Sequence, residues 1–327
     1  MNKRPLLRLR TLFRIFVSAI FMLPMVYGEV ATAASKEVGN VRELRGAAYI
    51  LRDKQKNGVQ KNEPVFGSDT VNTAEKSRVK LLFIDDSVVM VGENSSFVVS
   101  EHLKDNKNVS VFNLIDGVMN VIVGKSRFEV RTPTAVTAAR GTSYLVWVEG
   151  NKTGLAVTEG RVDFSEINAA PDKKVIIPAG RTSYIEIGKP PVVATRTNPD
   201  LIKRFYEDTL DPEERWGPVL LKATGSGIAP PGAVNQAQAR LMALRAAKVD
   251  AMRNLAEQVS SVTIISDTRI QDFVTKHDTI KARVDSFIKG AWVSEERELA
   301  DGTIEVDMEL GLGIGFRRMF LEQADRP

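Results

Sequence analysis

Residues 125–164 constrain the fold more than any other stretch of the chain. Phe128, Val130 and Thr132 alternate with charged neighbours, the period of a strand with one buried face. Pro133 then ends any ladder, because it has no N–H to donate. Residues 144–148 form a continuous apolar run, which asks for cover on both faces. The Gly150–Gly154 segment lets the chain reverse, and Glu159-Gly160 turns it again into Arg161-Val162-Asp163-Phe164, where alternation resumes. Short extended pieces with marked corners mean β structure.

The same texture covers residues 38–187. Short β runs such as 79–83, 88–91, 97–99, 109–114, 118–123 and 175–177 follow one another with little helical periodicity. Glycines stand at successive corners: Gly92, Gly117, Gly141, Gly160 and Gly180. Their spacing of roughly 20 to 25 residues fits stacked β coils, and a twisted sandwich accounts for it equally. The expectation is an all-β domain, solenoid-like or sandwich, with the glycines serving backbone geometry rather than a ligand. Asp85-Asp86 reads as a turn whose side chains bond the backbone, and Trp147 reads as core. Arg140, between small residues and Gly141, suits a guanidinium forked onto main-chain carbonyls, with a partner's carboxylate as the second choice.

The run Thr132-Pro133-Thr134-Ala135-Val136-Thr137-Ala138-Ala139-Arg140-Gly141-Thr142 resembles the signature of the FecR periplasmic domain, the sensor half of iron-uptake regulators. Val157-Thr158-Glu159-Gly160-Arg161-Val162 is similar to that family's next landmark, and the likeness extends upstream to about Val41. Gly67-Ser68-Asp69-Thr70-Val71 and Phe83-Ile84-Asp85-Asp86-Ser87 also match. Pro133, Arg140, Gly141, Thr142 and Gly160 are the structural motif residues the resemblance marks. It implies the fold and little about function, since one fold serves many outputs.

The first 33 residues read as targeting rather than fold. Lys3, Arg4, Arg8, Arg10 and Arg14 precede an apolar run over residues 15–27, and Ala31-Thr32-Ala33 offers a small-residue cleavage site, the three-part layout of a secretory signal. An uncleaved anchor is the alternative, although the run is short for a span and contains Pro24. Of 45 basic and 41 acidic residues, five basic ones and Glu29 lie in this segment, which leaves 40 of each in the remainder. A balanced mature chain argues against nucleic acid as a partner. The chain has no cysteine, so disulfides, thiol nucleophiles and thiolate-ligated metals are excluded, as is lipid attachment through cysteine.

Gly188-Lys189-Pro190-Pro191 breaks the β pattern, and residues 188–217 read as a linker. Asn198 or Asp200 caps a short helix over 201–210, either docked through Leu201, Phe205 and Leu210 or left as a solvated spacer. Residues 219–316 then change character. Residues 219–228 are extended, and 235–259 hold nearly all strong helix formers with no glycine or proline inside, with Ala237, Leu241, Leu244, Ala247, Ala251 and Leu255 as one stripe. So much alanine brings the helix axis close to whatever it covers. A strand from Val262 running towards Ile270 and a second amphipathic helix carrying Ile280, Val284, Phe287 and Ile288 follow. Asp301-Gly302 between alternating runs predicts a hairpin, with one face of residues 304–310 on the helices and the acidic face wet. The whole is an α+β domain, a long helix packed on an antiparallel sheet.

Thr224-Gly225-Ser226-Gly227-Ile228-Ala229-Pro230, with Ala237-Gln238-Ala239-Arg240 and residues 243–257, resembles the LPP20 lipoprotein family and a module that opens flagellar assembly protein T. The resemblance implies an envelope-associated module with no known active site.

Histidine occurs only at 102 and 277, without ligand spacing, and both read as surface or helix-end residues. No G-x-S-x-G, P-loop or H-E-x-x-H occurs. The expectation is therefore an exported, non-catalytic envelope protein, a periplasmic binding or scaffold module with no cofactor and no metal. Its partners would be envelope proteins or peptidoglycan, and it would meet the membrane only through an uncleaved N-terminal segment. A FecR-like sensory component without its own anti-sigma segment and a flagellar or envelope-assembly accessory protein are the alternatives.

Overall fold

The first layer of the protein is a sheet whose strands come from distant parts of the chain. Its order is Pro64–Phe66, Glu37–Arg45, Arg78–Phe83, Val88–Val91, residues 117–122, Ser143–Glu149, Lys152–Glu159, Arg181–Glu186 and Thr195–Arg196. A second layer runs Gln55–Gly58, Ala48–Arg52, Thr70–Thr73, Ser96–Glu101, residues 109–116, Arg127–Arg131, Ala135–Ala139, Arg161–Glu166 and Val175–Pro178. All pairings are antiparallel except that of Arg127–Arg131 with the strand beginning at Val109. The computed structural model describes residues 36–103, 109–210, 216–265 and 268–324, so the expected targeting segment lies outside the described residues.

Val109–Ile122 belongs to both layers. Its first half pairs in the second layer and its last six residues in the first. The crossing point is Gly117, at φ +89°, where a Cβ would overlap the backbone and side chain of Ser95. Between the layers lies one apolar core that includes Val41, Leu81, Tyr144, Val146, Phe97, Phe112, Phe128 and Phe164. The chain thus forms a sandwich whose hairpins alternate between layers, which decides between the two all-β readings.

Residues 144–148 show why that run is apolar throughout. Tyr144, Val146 and Val148 face the sandwich core, while Leu145 and Trp147 face outward into a second cluster. Helix α1 (Pro199–Thr209) supplies the cover. Ile202, Phe205, Tyr206 and Leu210 are buried on that outer face, with the Phe205 ring 4.7 Å from the Trp147 ring. Both ends of α1 are satisfied. Asn198 accepts from the Asp200 N–H at 2.9 Å, and Arg78 donates to the Leu210 carbonyl at 2.6 Å. Gly154 pairs with Trp147 in register and lies under its indole, where a Cβ would overlap the ring. It is therefore a packing glycine, and the reversal is made by Gly150 at φ +60°.

The second module has a three-stranded antiparallel sheet, ordered Val219–Gly227, Ile304–Leu312, Trp292–Glu298. Gly302 at φ +83° turns the expected hairpin. Helix α2 (Gln236–Ser261) lies on Val219–Gly227 through Ala243, Ala247, Ala251, Leu255 and Val259. The approach is so close that a Cβ at Gly225 or Gly227 would overlap main-chain atoms of Ala247, Ala251 or Ala243. Asn254 and Gln258 donate to the carbonyls of Thr224 and Lys222, and Asp250 accepts from the Ser226 N–H. Those bonds close the strand's outer edge.

Three expectations for this module need correction. Leu241, read as part of the buried stripe, is 47% exposed: the stripe is buried at Ala247, Ala251 and Leu255, but towards its N-terminal end the helix meets the sheet through Ala243. The strand from Val262 does not continue to Ile270. Thr263–Ile265 pairs back with Thr268–Arg269, and α3 (Ile270–Val274) starts there. The acidic face of Ile304–Leu312 is not wet, since Asp307 and Glu309 are both 3% exposed. Basic side chains on neighbouring strands fold over it: Arg297 and Lys222 reach Asp307 at 3.0 and 2.8 Å. Helix α4 (Asp278–Lys289) buries Ile280, Val284 and Ile288, and His277 is its N-cap residue. A final helix, α5 (Ile314–Ala324), was not evident from the sequence; Phe316, Met319 and Phe320 are its buried positions.

Candidate functional site

Every second residue of Gly311-Leu312-Gly313-Ile314-Gly315 lacks a side chain, and this is where the modules meet. A Cβ at Gly311 would overlap Ala179 and the Thr158 carbonyl; one at Gly315 would lie 2.6 Å from the Ser143 hydroxyl oxygen. Backbone of the second module therefore rests directly on the β module.

Glu159 stands at the centre of this seam. It is 4% exposed, and its carboxylate accepts from the N–H groups of Gly313 at 3.2 Å and Phe316 at 2.8 Å. These donors belong to the first turn of α5, which has no intrahelical acceptors for them. A carboxylate there also faces the positive end of the helix dipole. Burial pushes the Glu159 pKa up to about 7, against the two backbone hydrogen bonds, which favour the charged form.

A second bond crosses the seam nearby. Arg181 of the β module reaches Glu309 of the second at 3.3 Å and lies over the Trp292 ring at 5.2 Å. Arg196 stands 3.9 Å from the same carboxylate. Ile314 joins the apolar cluster formed by α1 and the outer sheet face. A carboxylate capping a helix, an arginine across the joint and a shared apolar cluster fix the two modules as one body.

The five marked residues divide. Gly141 and Gly160 take φ +59° and +74°. A Cβ on Gly160 would come within 2.7 Å of the Thr142 methyl, so Gly160 and Thr142 pack together beside Glu159. Pro133 sits exposed in the turn before Ala135–Ala139, while its neighbours Thr132 and Thr134 both bond the Thr153 hydroxyl, at 2.6 and 2.7 Å. Arg140 is exposed and forms no fork onto main-chain carbonyls among the described residues. The positive-φ glycine after it directs the chain inward at Thr142 and leaves the guanidinium outside.

His102 also requires correction. Its imidazole has no exposed surface. It stands between the Phe83 and Phe112 rings, with Nδ1 2.8 Å from the Ser110 hydroxyl and Nε2 4.0 Å from Asp85. Burial lowers its pKa and keeps the ring neutral. Asp85 does bond its own turn, accepting from the Ser87 N–H at 3.1 Å and hydroxyl at 2.9 Å, and it also takes the Ser126 hydroxyl. Serine, histidine and aspartate are thus together, yet enclosed in the sandwich where no substrate reaches them; they brace the second layer to the Asp85 turn. Among the described residues no three His, Cys, Asp or Glu side chains are placed to hold a metal ion.

Residues 69–163 match the sequence model of the FecR protein family, and residues 221–310 match that of the LPP20 lipoprotein family. The chain joins a FecR domain to an LPP20 domain. Glu159 and Gly160 are thus FecR-domain residues that support a helix just beyond the LPP20 match. No curated protein matches the chain significantly. Two crystal structures of a proposed anti-sigma factor from Parabacteroides distasonis ATCC 8503 align at 12% and 10% identity, each with a TM-score of 0.36. The first alignment covers 42% of this chain and 63% of that one, the second 70% and 95%. A cell surface anchoring domain aligns at 24% identity over 19% of this chain and 82% of its own, with a TM-score of 0.18. Scores of this size carry no functional argument.

From the sequence, Glu159-Gly160 reads as a turn within a family landmark, with no role for the Glu159 side chain. Alternate glycines in residues 311–315 were the available signal that a backbone surface would be covered there.

Proposed function

We propose that this protein is a non-catalytic binding platform of the cell envelope, in which the FecR and LPP20 domains act together. The seam carries this reading. Glu159 and Glu309 are carboxylates of the kind a catalyst would expose, and here they are buried, with the half-buried Arg181, in holding two domains at a fixed angle. Such a body presents surfaces at constant spacing, which suits bridging of partners. The two matched families and the three-part leader support placement in the periplasm. Among the described residues no helix is long and apolar enough to cross a membrane.

Cross-linking in intact cells followed by purification from the envelope fraction tests the proposal; specific envelope proteins or peptidoglycan fragments should co-purify. Hydrolysis of isolated sacculi by the purified protein would refute the non-catalytic reading. The FecR match favours a second reading, a sensory component acting through another membrane protein. That reading expects deletion of the gene to change expression of a regulated operon without altering envelope assembly.

A further inference from the structure

Across the second layer, Ala139 pairs with Phe128 on one side and Val162 on the other, and all three point into the core. The residues beside them, Arg140, Arg127 and Arg161, therefore point out of the sandwich, and all three are exposed. Three guanidinium groups thus stand in one row on three adjacent strands. At ~4.8 Å between strands, the row is about 10 Å long.

Like charges at facing positions destabilise a sheet, and the chain does not relieve these. Acids stand two residues along on the same face, yet Glu129 is held by Arg131 at 2.7 Å and Asp163 by Lys174 at 2.6 Å. None of the three arginines forms an ion pair or a side-chain hydrogen bond among the described residues. At its Arg161 end the row opens onto a groove of about 630 Å³ beside the seam. Ile176 and Val193 of the β module, 59% and 84% exposed, line this groove with Met252, Val293 and Lys248 of the second module, and no acid lines it.

Arginine forks onto carboxylates and phosphates, so the occupant is anionic, and the geometry narrows it. One small anion cannot span about 10 Å of separate guanidinium groups. The positive line is one residue wide, with Glu129 and Asp163 in the next row; a planar anionic surface would meet those acids, whereas a narrow segment follows the line. A polyphosphate carries no apolar group for the space beside Ile176 and Val193. A polypeptide carries both kinds of side chain. We propose that the Arg127–Arg140–Arg161 row and its groove dock an acidic segment of a partner protein. Its carboxylates lie along the row, and its apolar side chains enter beside Ile176, Val193 and Val293. This names the partner chemistry of the platform proposed above and rests on that reading.

The test uses the full chain and fluorescence anisotropy at low salt. The probe is a pool of fluorescein-labelled dodecapeptides drawn at random from Asp, Glu, Leu, Val and Ser. The same pool with Asn and Gln for the acids, a long-chain polyphosphate, and phosphatidylglycerol vesicles serve as comparisons. The acidic pool should bind at least tenfold tighter than the amide pool. Arg140→Gln and Arg161→Gln should each weaken binding about fivefold, the triple Arg127→Gln, Arg140→Gln, Arg161→Gln variant should abolish it, and Ile176→Ser should weaken it about threefold. Arg131→Gln, on the same face but already paired, should change affinity less than twofold. Because the row repels itself, Arg140→Gln should keep or raise the melting temperature, and a fall would make the arginine structural and overturn the proposal. Equal affinity for the acidic and amide pools, tighter binding of polyphosphate or vesicles than of the acidic pool, or retained affinity in the triple variant also overturns it. If the acidic pool fails to bind while cross-linking captures the same envelope partners with wild type and the triple variant, this inference falls and the platform reading stands.

Discussion

The carboxylate of Glu159 accepts the main-chain N–H of Phe316 at 2.8 Å, a bond between residues 157 positions apart. It ties the turn of a β hairpin to the first turn of α5. Because the carboxylate is enclosed, the bond has a pH signature. With a folded pKa of about 7 against the ordinary 4.5, the folded protein keeps a proton that the unfolded chain has released. Stability from this group is therefore full below pH 4.5 and is lost as pH rises through 7. The ceiling on the effect is about 3 kcal/mol. Thermal melts from pH 5 to pH 8 should show a falling midpoint, and Glu159→Gln should flatten that slope. A wild-type slope unchanged by the substitution would place the titration elsewhere.

Gly225 and Gly227 let α2 rest on its strand without intervening side chains. The atoms a new Cβ would meet are helix backbone, which cannot swing aside as a side chain can. Gly225→Ala should cost about 3 kcal/mol, read as a lower urea midpoint. Gly67→Ala, where the space is open, should cost far less.

Phe205 and Trp147 anchor α1 to the outer sheet face. Phe205→Ala removes a ring that is 5% exposed and should destabilise by about 3 kcal/mol. Limited proteolysis should then cut within residues 188–217 well before global unfolding. Cleavage no faster than in wild type would mean the helix is held by its caps.

Asp307 accepts from Thr224 at 2.7 Å and from Arg297 at 3.0 and 3.1 Å, with Lys222 at 2.8 Å. The Arg297 guanidinium, then Lys222 and Thr224, holds its carboxyl well below the usual range. Its contribution is present above the unfolded value of 3.8 and is lost as pH falls through the folded value. Asp307→Ala should cost about 2 kcal/mol at pH 7, with the difference from wild type narrowing in acid. Chemical denaturation at pH 7 and pH 2.5 measures both.

Local order alone determined much of this protein. Alternation at Phe128 and Val130, the unbroken apolar run at 144–148, the Asp301-Gly302 turn and the alanine-rich helix are period and propensity effects confined to a few neighbouring residues. They were legible because each is dictated by which side of a strand or helix must be dry. The helix register was legible in part: Ala247, Ala251 and Leu255 are buried as the stripe requires, while contact with Gly227 selects Ala243 over Leu241 near the start of the helix. Only the tertiary structure decided that Glu159, Asp307, Glu309 and His102 are enclosed. Burial of a charged or titratable group depends on partners from other elements (Phe316, Lys222, Arg181 and Asp85) and leaves no local pattern. The seam belongs to the same class, because what covers a glycine or a carboxylate is settled by the packing of one domain on another.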